Sequence, residues 1–318
     1  MALTLLVVAD PRDRTLASLA PLAGDVEVVV GGRVEDFGDA PARAEVLLVW
    51  SSDRATVERV FAAAPRLRWV HSWAAGVDWL LFPALRQRDV VVTNTRGVYS
   101  DSLAEFALGA MLYFAKDFAR MKTNQRARRW EPFDVQMLRG ATLGIAGYGD
   151  IGRRVGALGA SMGMRVLAHR RHPERPTAGA VVETVGSRRE LCERSDYLVL
   201  AAPLTAETRH MIGQEELAAM RPGAVLVNVG RGAVVDQAAL VKALERGAIR
   251  GAALDVFETE PLPADDPLYG MENVLVSPHT ADHTATWREE AMQAFLENLR
   301  RYRAGEPLLH VVDKALGY

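Results

Sequence analysis

Cysteine is all but missing from this 318-residue chain, where Cys192 stands alone. One thiol closes no intrachain disulfide and builds no multi-thiolate metal site, which fits a reducing cytoplasm better than an extracellular scaffold. An excess of one charge is lacking too. Lys and Arg number 38 against 40 Asp and Glu, leaving −2 at pH 7. That balance argues against nucleic acid or an anionic membrane as the main partner and leaves a small molecule as the expected one. No run of 18 apolar residues occurs, because the longest candidate, 103–115, contains Glu105 and stops at Lys116. Fixed repeats and low-complexity tracts are also absent, which excludes a solenoid. The opening segment, 1–10, has an apolar run without a basic stretch before it or a small-residue cleavage pattern after it, so it reads as a strand and not a signal peptide.

What is present is an ordinary globular composition, 49% hydrophobic and 25% charged, over a length that suits about two domains. Val/Leu-rich runs at 3–9, 26–30, 45–50, 68–72 and 90–94 alternate with stretches of helical spacing. The alternation restarts at 142–146 and continues through 165–168, 197–201, 224–229, 251–255 and 274–277. Unbroken apolar runs of this kind suit parallel strands covered on both faces, so the restart predicts an α/β fold of two doubly wound parallel-sheet domains. Segments 178–186 and 260–267, rich in Gly, Thr, Pro and Asp, read as loops. A helix is predicted over 100–120, where Leu103, Phe106, Ala107, Ala110, Met111 and Phe114 recur behind a Ser/Asp start, and another over 284–303. Too little chain follows the second helix for a further domain. The expected organisation is therefore 1–99 plus 284–318 as one discontinuous domain and 100–283 as the other.

Around Gly147 the sequence runs apolar strand, G-x-G-x-x-G, helix start. Gly147 suits the tight turn, Gly149 lets a pyrophosphate approach the backbone, and Gly152 lets helix and strand pack closely. The N–H groups near Asp150 and Ile151 would then face an anion, helped by the helix dipole. A further strand ends at His169, where the adenosine ribose is read. A nicotinamide dinucleotide is the expected tenant, with S-adenosylmethionine the alternative.

Ligands of doubly wound sheets lie beyond the carboxyl ends of the strands. There the sequence places Pro203 to Thr208, then Val229 and Arg231, then Asp255 to Glu260, then His279. An arginine to hold a carboxylate and polarise a carbonyl, a histidine to move the proton, and a carboxylate to favour the charged imidazole suit reduction of a 2-oxo acid. Each has a plainer use: Arg231 pairing with a surface acid, His279 capping a helix, Glu260 as a loop residue.

With these blocks in order the chain resembles the D-isomer-specific 2-hydroxyacid dehydrogenases. The likeness rests on Val92-Thr-Asn-Thr, Ala104-Glu105, Leu143 to Gly152, Pro203-Leu-Thr with Thr208, Asn228-Val-Gly-Arg-Gly232, Leu254 to Pro261 and Ser277-Pro-His-Thr-Ala281. It implies a Rossmann dinucleotide-binding domain and a flavodoxin-like substrate domain with a cleft between them. By the same resemblance Arg231 binds substrate, His279 is the acid/base, Glu260 its partner, and Asp255 meets the nicotinamide end. The block Ser72-Trp73-Ala74-Ala75-Gly76-Val77-Asp78 matches the substrate loop, so Trp73, Ala75 and Gly76 become substrate-binding candidates. Trp73 adds an aromatic there that suits a small acid such as glyoxylate or hydroxypyruvate, or serves packing alone. The resemblance also leaves a second reading open, a nucleotide-sensing protein like the family's corepressor branch.

NAD enzymes usually carry an acid at the end of the second nucleotide-domain strand. Here His169-Arg170-Arg171-His172-Pro173 stands in that place and the first carboxylate is Glu174. Arg170 and Arg171 could bind a 2′-phosphate, so NADP(H) is expected to be preferred with NAD(H) possible; solvated charges or adenine stacking are the alternatives. Metal is not expected: His279 and His283 lie four apart, but the zinc-protease glutamate and a third ligand are lacking. No Tyr-x-x-x-Lys pair occurs. The basic cluster Arg126, Arg128, Arg129 beside Trp130 reads as a solvated face or subunit contact. Leu112, Phe114, Phe118, Met121, Trp130 and Phe133 exceed what one connecting helix needs, and a homodimer is expected, unless they are covered within one chain.

Overall fold

Valine and leucine runs form the strands of two parallel sheets in the computed structural model, which describes residues 3–171 and 182–318. His172, Pro173, Glu174 and positions 178–181 lie outside the described residues. The chain divides into two units, Met1–Tyr99 with Ala285–Tyr318, and Ser100–Thr284. Among the described residues no helix is long and apolar enough to cross a membrane.

The first unit carries β1 (Leu3–Val8), β2 (Val26–Gly31), β3 (Val46–Val49), β4 (Trp69–Ser72) and β5 (Val91–Thr93) in the order β2-β1-β3-β4-β5. All pairs are parallel, and the order is the flavodoxin-like one. Leu5, Leu6, Leu47 and Leu48 are completely buried, because successive side chains point to opposite faces and both faces are covered. Each such side chain contributes roughly 1.5–3 kcal/mol by leaving water. Helix α1 (Arg54–Ala63) starts where the Asp53 carboxylate accepts the Thr56 N–H at 3.3 Å, and α2 is the short Pro83–Gln87.

The second unit opens with α3 (Ser100–Lys116) and α4 (Phe118–Arg126). The single helix expected over 100–120 is thus broken at Asp117, which adopts φ +52° and accepts the Arg120 N–H to start a new helix. Aspartate tolerates that left-handed geometry better than most residues and is a good N-cap. The sheet then runs through β6 (Thr142–Ala146), α5 (Asp150–Ser161), β7 (Arg165–His169), β8 (Val182–Thr184), α6 (Arg188–Arg194) and β9 (Tyr197–Leu200). It continues with α7 (Gln214–Ala219), β10 (Val225–Asn228), α8 (Gln237–Glu245), β11 (Gly251–Leu254) and β12 (Val274–Val276). Its order, β12-β11-β10-β9-β6-β7-β8, is the doubly wound Rossmann order with one strand added at the β12 edge.

Strand β8 corrects the loop expected over 178–186. It pairs in parallel with β7, Val166 opposite Val182. A three-residue edge strand is too short to stand out against the neighbouring Gly, Thr and Pro. Helix α3 approaches β11 closely at Gly251, where a Cβ would come within 2.5 Å of the Phe114 ring. Helix α9 (Trp287–Ala304) returns the chain to the first unit, three residues later than the expected start at 284. Phe295 and Tyr302 of α9 each stack on the buried Trp69 of β4 with centroids 5.5 Å apart. Beyond α9, the Val312 N–H donates to Val92 O at 2.8 Å, so the tail pairs beside β5.

Candidate active site

The glycine turn between β6 and α5 is shaped by two different demands. Gly147 has φ +92°, its N–H donates to His169 O at 3.0 Å, and a Cβ there would lie 2.6 Å from the Ala202 nitrogen. Gly152 sits where a Cβ would collide with the Gly147 carbonyl oxygen. Both answer to the protein's own packing. Gly149 does not: its φ is −80°, and among the described residues no atom beyond its two chain neighbours lies within 4 Å of where a Cβ would be. That cradle beside the first turn of α5 fits a phosphate-bearing cofactor approaching the N–H groups at Asp150 and Ile151. The Asp150 carboxylate is pushed up by burial, yet a hydrogen bond from Ser100 and the charges of Arg154 and Arg153 hold it below its usual range. Arg153 and Arg154 approach it to 3.4 and 3.5 Å, which offsets its repulsion of an anion.

The Gly147 hydrogen bond sets the end of β7 beside the turn. His169 is half-buried there, and burial, with the charge of Arg188, favours its neutral form. Arg170 and Arg171 follow directly, Arg171 exposed.

Four later strand ends, those of β9, β10, β11 and β12, carry the remaining candidates of this unit. After β9, Thr208 Oγ1 donates to Pro203 O at 2.6 Å and accepts the Thr205 N–H at 2.8 Å, closing the Pro203–Thr208 turn. After β10, Val229 is buried and its N–H donates to Leu200 O, while Asn228 grips the next turn from both sides. Its Oδ1 accepts the Gly230 N–H at 3.1 Å and its Nδ2 donates to Arg231 O at 3.0 Å. Arg231 Nη1 also donates to Gly230 O. A Cβ on Gly232 would run into the Phe257 carbonyl carbon, so the arginine turn lies directly on the backbone that leads to Glu260.

Glu260 Oε2 is 2.7 Å from His279 Nδ1, and Glu260 Oε1 accepts the Phe257 N–H at 2.9 Å. The hydrogen bond that His279 donates to Glu260 raises the His279 pKa above its ordinary value; burial and the charge of Arg231 oppose it without prevailing. Burial pushes the Glu260 carboxyl up, but the His279 and Phe257 hydrogen bonds outweigh it and leave the group below its ordinary value. His279 has φ +54°, and Asp255 secures this sparsely populated conformation. Asp255 Oδ1 accepts from Ser277 Oγ at 2.6 Å, Thr280 N at 2.9 Å and Ala281 N at 3.1 Å. This hold on the histidine turn is a use of Asp255 that the sequence did not suggest. Its only signal was the Ser-x-x-Thr spacing that brackets His279.

In the first unit, Trp73, Ala75 and Gly76 form the loop after β4. Asn94 Nδ2 donates to Ala75 O at 2.6 Å and Tyr99 Oη donates to Trp73 O at 2.5 Å. The Trp73 ring lies 5.4 Å from that of Trp287, at the start of α9. Tyr99 and Trp287 are further aromatic residues at this loop that sequence reasoning missed, since 214 positions separate Trp73 from Trp287. Cys192 is buried, which pushes its thiol up to about 12 and suits an inert side chain.

Residues 108–281 match the family profile "D-isomer specific 2-hydroxyacid dehydrogenase, NAD binding domain". The chain is 41% identical to the glyoxylate reductase of Korarchaeum cryptofilum over 259 residues, 78% of this chain and 76% of that protein. It is 33% identical to the D-3-phosphoglycerate dehydrogenase of Methanocaldococcus jannaschii over 97% of its length, but spans only 59% of that longer protein. A D-isomer specific 2-hydroxyacid dehydrogenase from Xanthobacter autotrophicus Py2, solved in complex with NADPH and MES, superposes with a TM-score of 0.85 at 34% identity, covering all of both chains. The chain therefore belongs to the D-isomer specific 2-hydroxyacid dehydrogenase family.

Proposed function

We propose that this dehydrogenase reduces a small 2-oxo acid, glyoxylate or hydroxypyruvate, to the corresponding 2-hydroxy acid, of D configuration where a stereocentre forms, with NADPH preferred over NADH. The carrying observation is the 2.7 Å contact of His279 with Glu260, on loops packed against the turn that bears Arg231. The turn at Gly147, Gly149 and Gly152, with Asp150, Ile151, His169, Arg170, Arg171, Pro203, Thr208, Val229 and Asp255, would hold the dinucleotide. Bound there, the nicotinamide supplies hydride for reduction or takes it in oxidation. Arg231 orients the acid through its carboxylate and polarises the carbonyl, where a planar guanidinium offers two parallel donors. With Nδ1 engaged by Glu260, His279 presents Nε2 to the substrate oxygen and delivers its proton; in oxidation the neutral ring takes it back. Glu260 keeps the imidazolium populated and fixes the ring's orientation. The family resemblance names Trp73, Ala75 and Gly76, in the loop after β4, as substrate-binding residues, and in that unit the ring of Trp287 lies beside that of Trp73.

The test is a panel of 2-oxo acids with NADPH and with NADH, followed at the nicotinamide absorbance. Turnover of glyoxylate or hydroxypyruvate, faster with NADPH, is expected. Tight cofactor binding without oxidation by any acid would instead mark a nucleotide sensor.

The functional form is a homodimer in this proposal. Trp130 is 96% exposed, with Met137, Val135, Phe118 and Met121 also exposed nearby in sequence. Two of the apolar residues counted toward this surface are used internally: Phe114 is buried, and Phe133 lies under the Arg120 guanidinium at 4.4 Å.

A further inference from the structure

The loop that carries Glu260 is held by a second histidine–carboxylate pair. His210 Nε2 lies 2.7 Å from Glu258 Oε1, two residues before Glu260. The same oxygen accepts the Gln237 N–H at 3.2 Å, and Gln237 Oε1 accepts the Glu258 N–H at 3.1 Å, so Glu258 and Gln237 grip each other reciprocally. Gln237 Nε2 reaches on to Asp266 Oδ2 at 2.9 Å. His210 is itself fixed, its N–H donating to Ala233 O at 2.8 Å and its backbone held at φ +51°. Three strand-end loops therefore meet at Glu258: the one after β9 through His210, the one after β10 through Ala233 and Gln237, and the one after β11 through Glu258 itself.

We propose that His210 is a positioning residue which, through Glu258, clamps the Asp255–Glu260 loop so that Glu260 stays in hydrogen-bond register with His279. The physical need is plain. Glu260 reaches His279 from an irregular segment, and a carboxylate displaced by about 1 Å loses most of a charge-assisted hydrogen bond. On the near side the loop is pressed against Gly232, and on the far side the His210–Glu258–Gln237 group holds it. The charged groups that face His279 are Glu260, Arg231, Asp255 and Asp282, and among them Glu260 has the largest effect on its proton affinity. Glu258 is the carboxylate on His210. The inference rests on the acid/base assignment of His279 made above.

The experiment is an NMR titration of the His279 ring in isotope-labelled full-length protein, which needs no turnover. In His210→Ala the His279 pKa should fall by about half a unit or more, toward the ordinary histidine value. His210→Gln keeps an amide donor for Glu258 and should restore most of the difference. Gln237→Ala, which frees the Glu258 N–H while leaving His210 in place, should move the titration the same way and serves if His210→Ala folds poorly. In the reduction assay, kcat should fall about tenfold in His210→Ala with the cofactor KM unchanged. An unmoved His279 titration in folded His210→Ala or Gln237→Ala overturns the clamp, even if the 2-oxo acid panel succeeds. Failure of that panel leaves the titration result standing.

Discussion

At the scale of single residues, the His279 pKa carries a direct consequence for pH. It is raised, so the imidazolium, the proton donor of the proposed reduction, persists above the ordinary histidine value, and the basic limb of the reduction profile is expected to lie correspondingly high. Glu260→Gln removes the largest cause of that shift. The basic limb of kcat/KM for reduction is expected to move down, and an unmoved limb would show that Glu260 does not tune His279. His279→Ala should lower kcat by about 10²–10⁴-fold with cofactor affinity retained, since proton transfer is what it loses. In the proposed site Arg170 and Arg171 bind the 2′-phosphate of the cofactor. Replacing both with serine should raise the KM for NADPH toward that for NADH, because each guanidinium–phosphate hydrogen bond is worth about 1.5–3 kcal/mol. Higher kcat/KM with NADH in the unaltered protein would refute the preference.

Among the structural elements, the β6–α5 turn separates two kinds of glycine that look alike in the motif. Gly152→Ala places a methyl against the Gly147 carbonyl oxygen, a backbone contact that cannot yield cheaply. Overpacking of this kind costs about 1–3 kcal/mol, so Tm should drop by several degrees. Gly149→Ala meets no atom beyond its chain neighbours within 4 Å and should lower Tm far less than Gly152→Ala, by no more than the small cost of alanine at a helix N-cap. Its effect should fall on the dinucleotide, with Kd from fluorescence titration weakened about tenfold or more, equivalent to about 1.4 kcal/mol. Equal Kd values for the alanine variant and the parent protein would mean that the cradle does not hold the pyrophosphate.

For the whole molecule, the question is what covers the surface around Trp130. An indole 96% exposed is unusual on a monomer, where large contiguous apolar surface marks an interaction site. Light scattering at micromolar concentration is expected to return twice the 34.8 kDa chain mass. Trp130→Asp combined with Met137→Lys should shift that mass toward the monomer, since both side chains are exposed and neither holds the fold. A monomer mass for the unaltered protein would end the dimer proposal.

Much of the molecule is legible in strand sequence and local chemistry alone. Among the described residues, eleven of the twelve strands lie on the short, mostly apolar runs read from the sequence, and two successions of them carry the α/β architecture, because burial on both faces leaves an apolar signature. The glycine turn is legible for the same reason: its spacing is imposed by backbone contacts a few residues apart. Strand β8 is not, because three residues at a sheet edge carry too little periodicity, and the break at Asp117 is hidden inside a run whose apolar spacing continues across it. Arginine, glutamate and histidine are nameable as candidates from their places after successive strands. That Glu260 meets His279 at Nδ1, that Asp255 holds the histidine turn, and that Glu258 and His210 stand behind Glu260 depends on loops brought together from distant parts of the chain. Which residue types lie at the strand ends follows from the local pattern of the chain. Only tertiary structure decided which of them touch, because hydrogen bonds between loops depend on how neighbouring strands are ordered in the sheet, and no local pattern records that order.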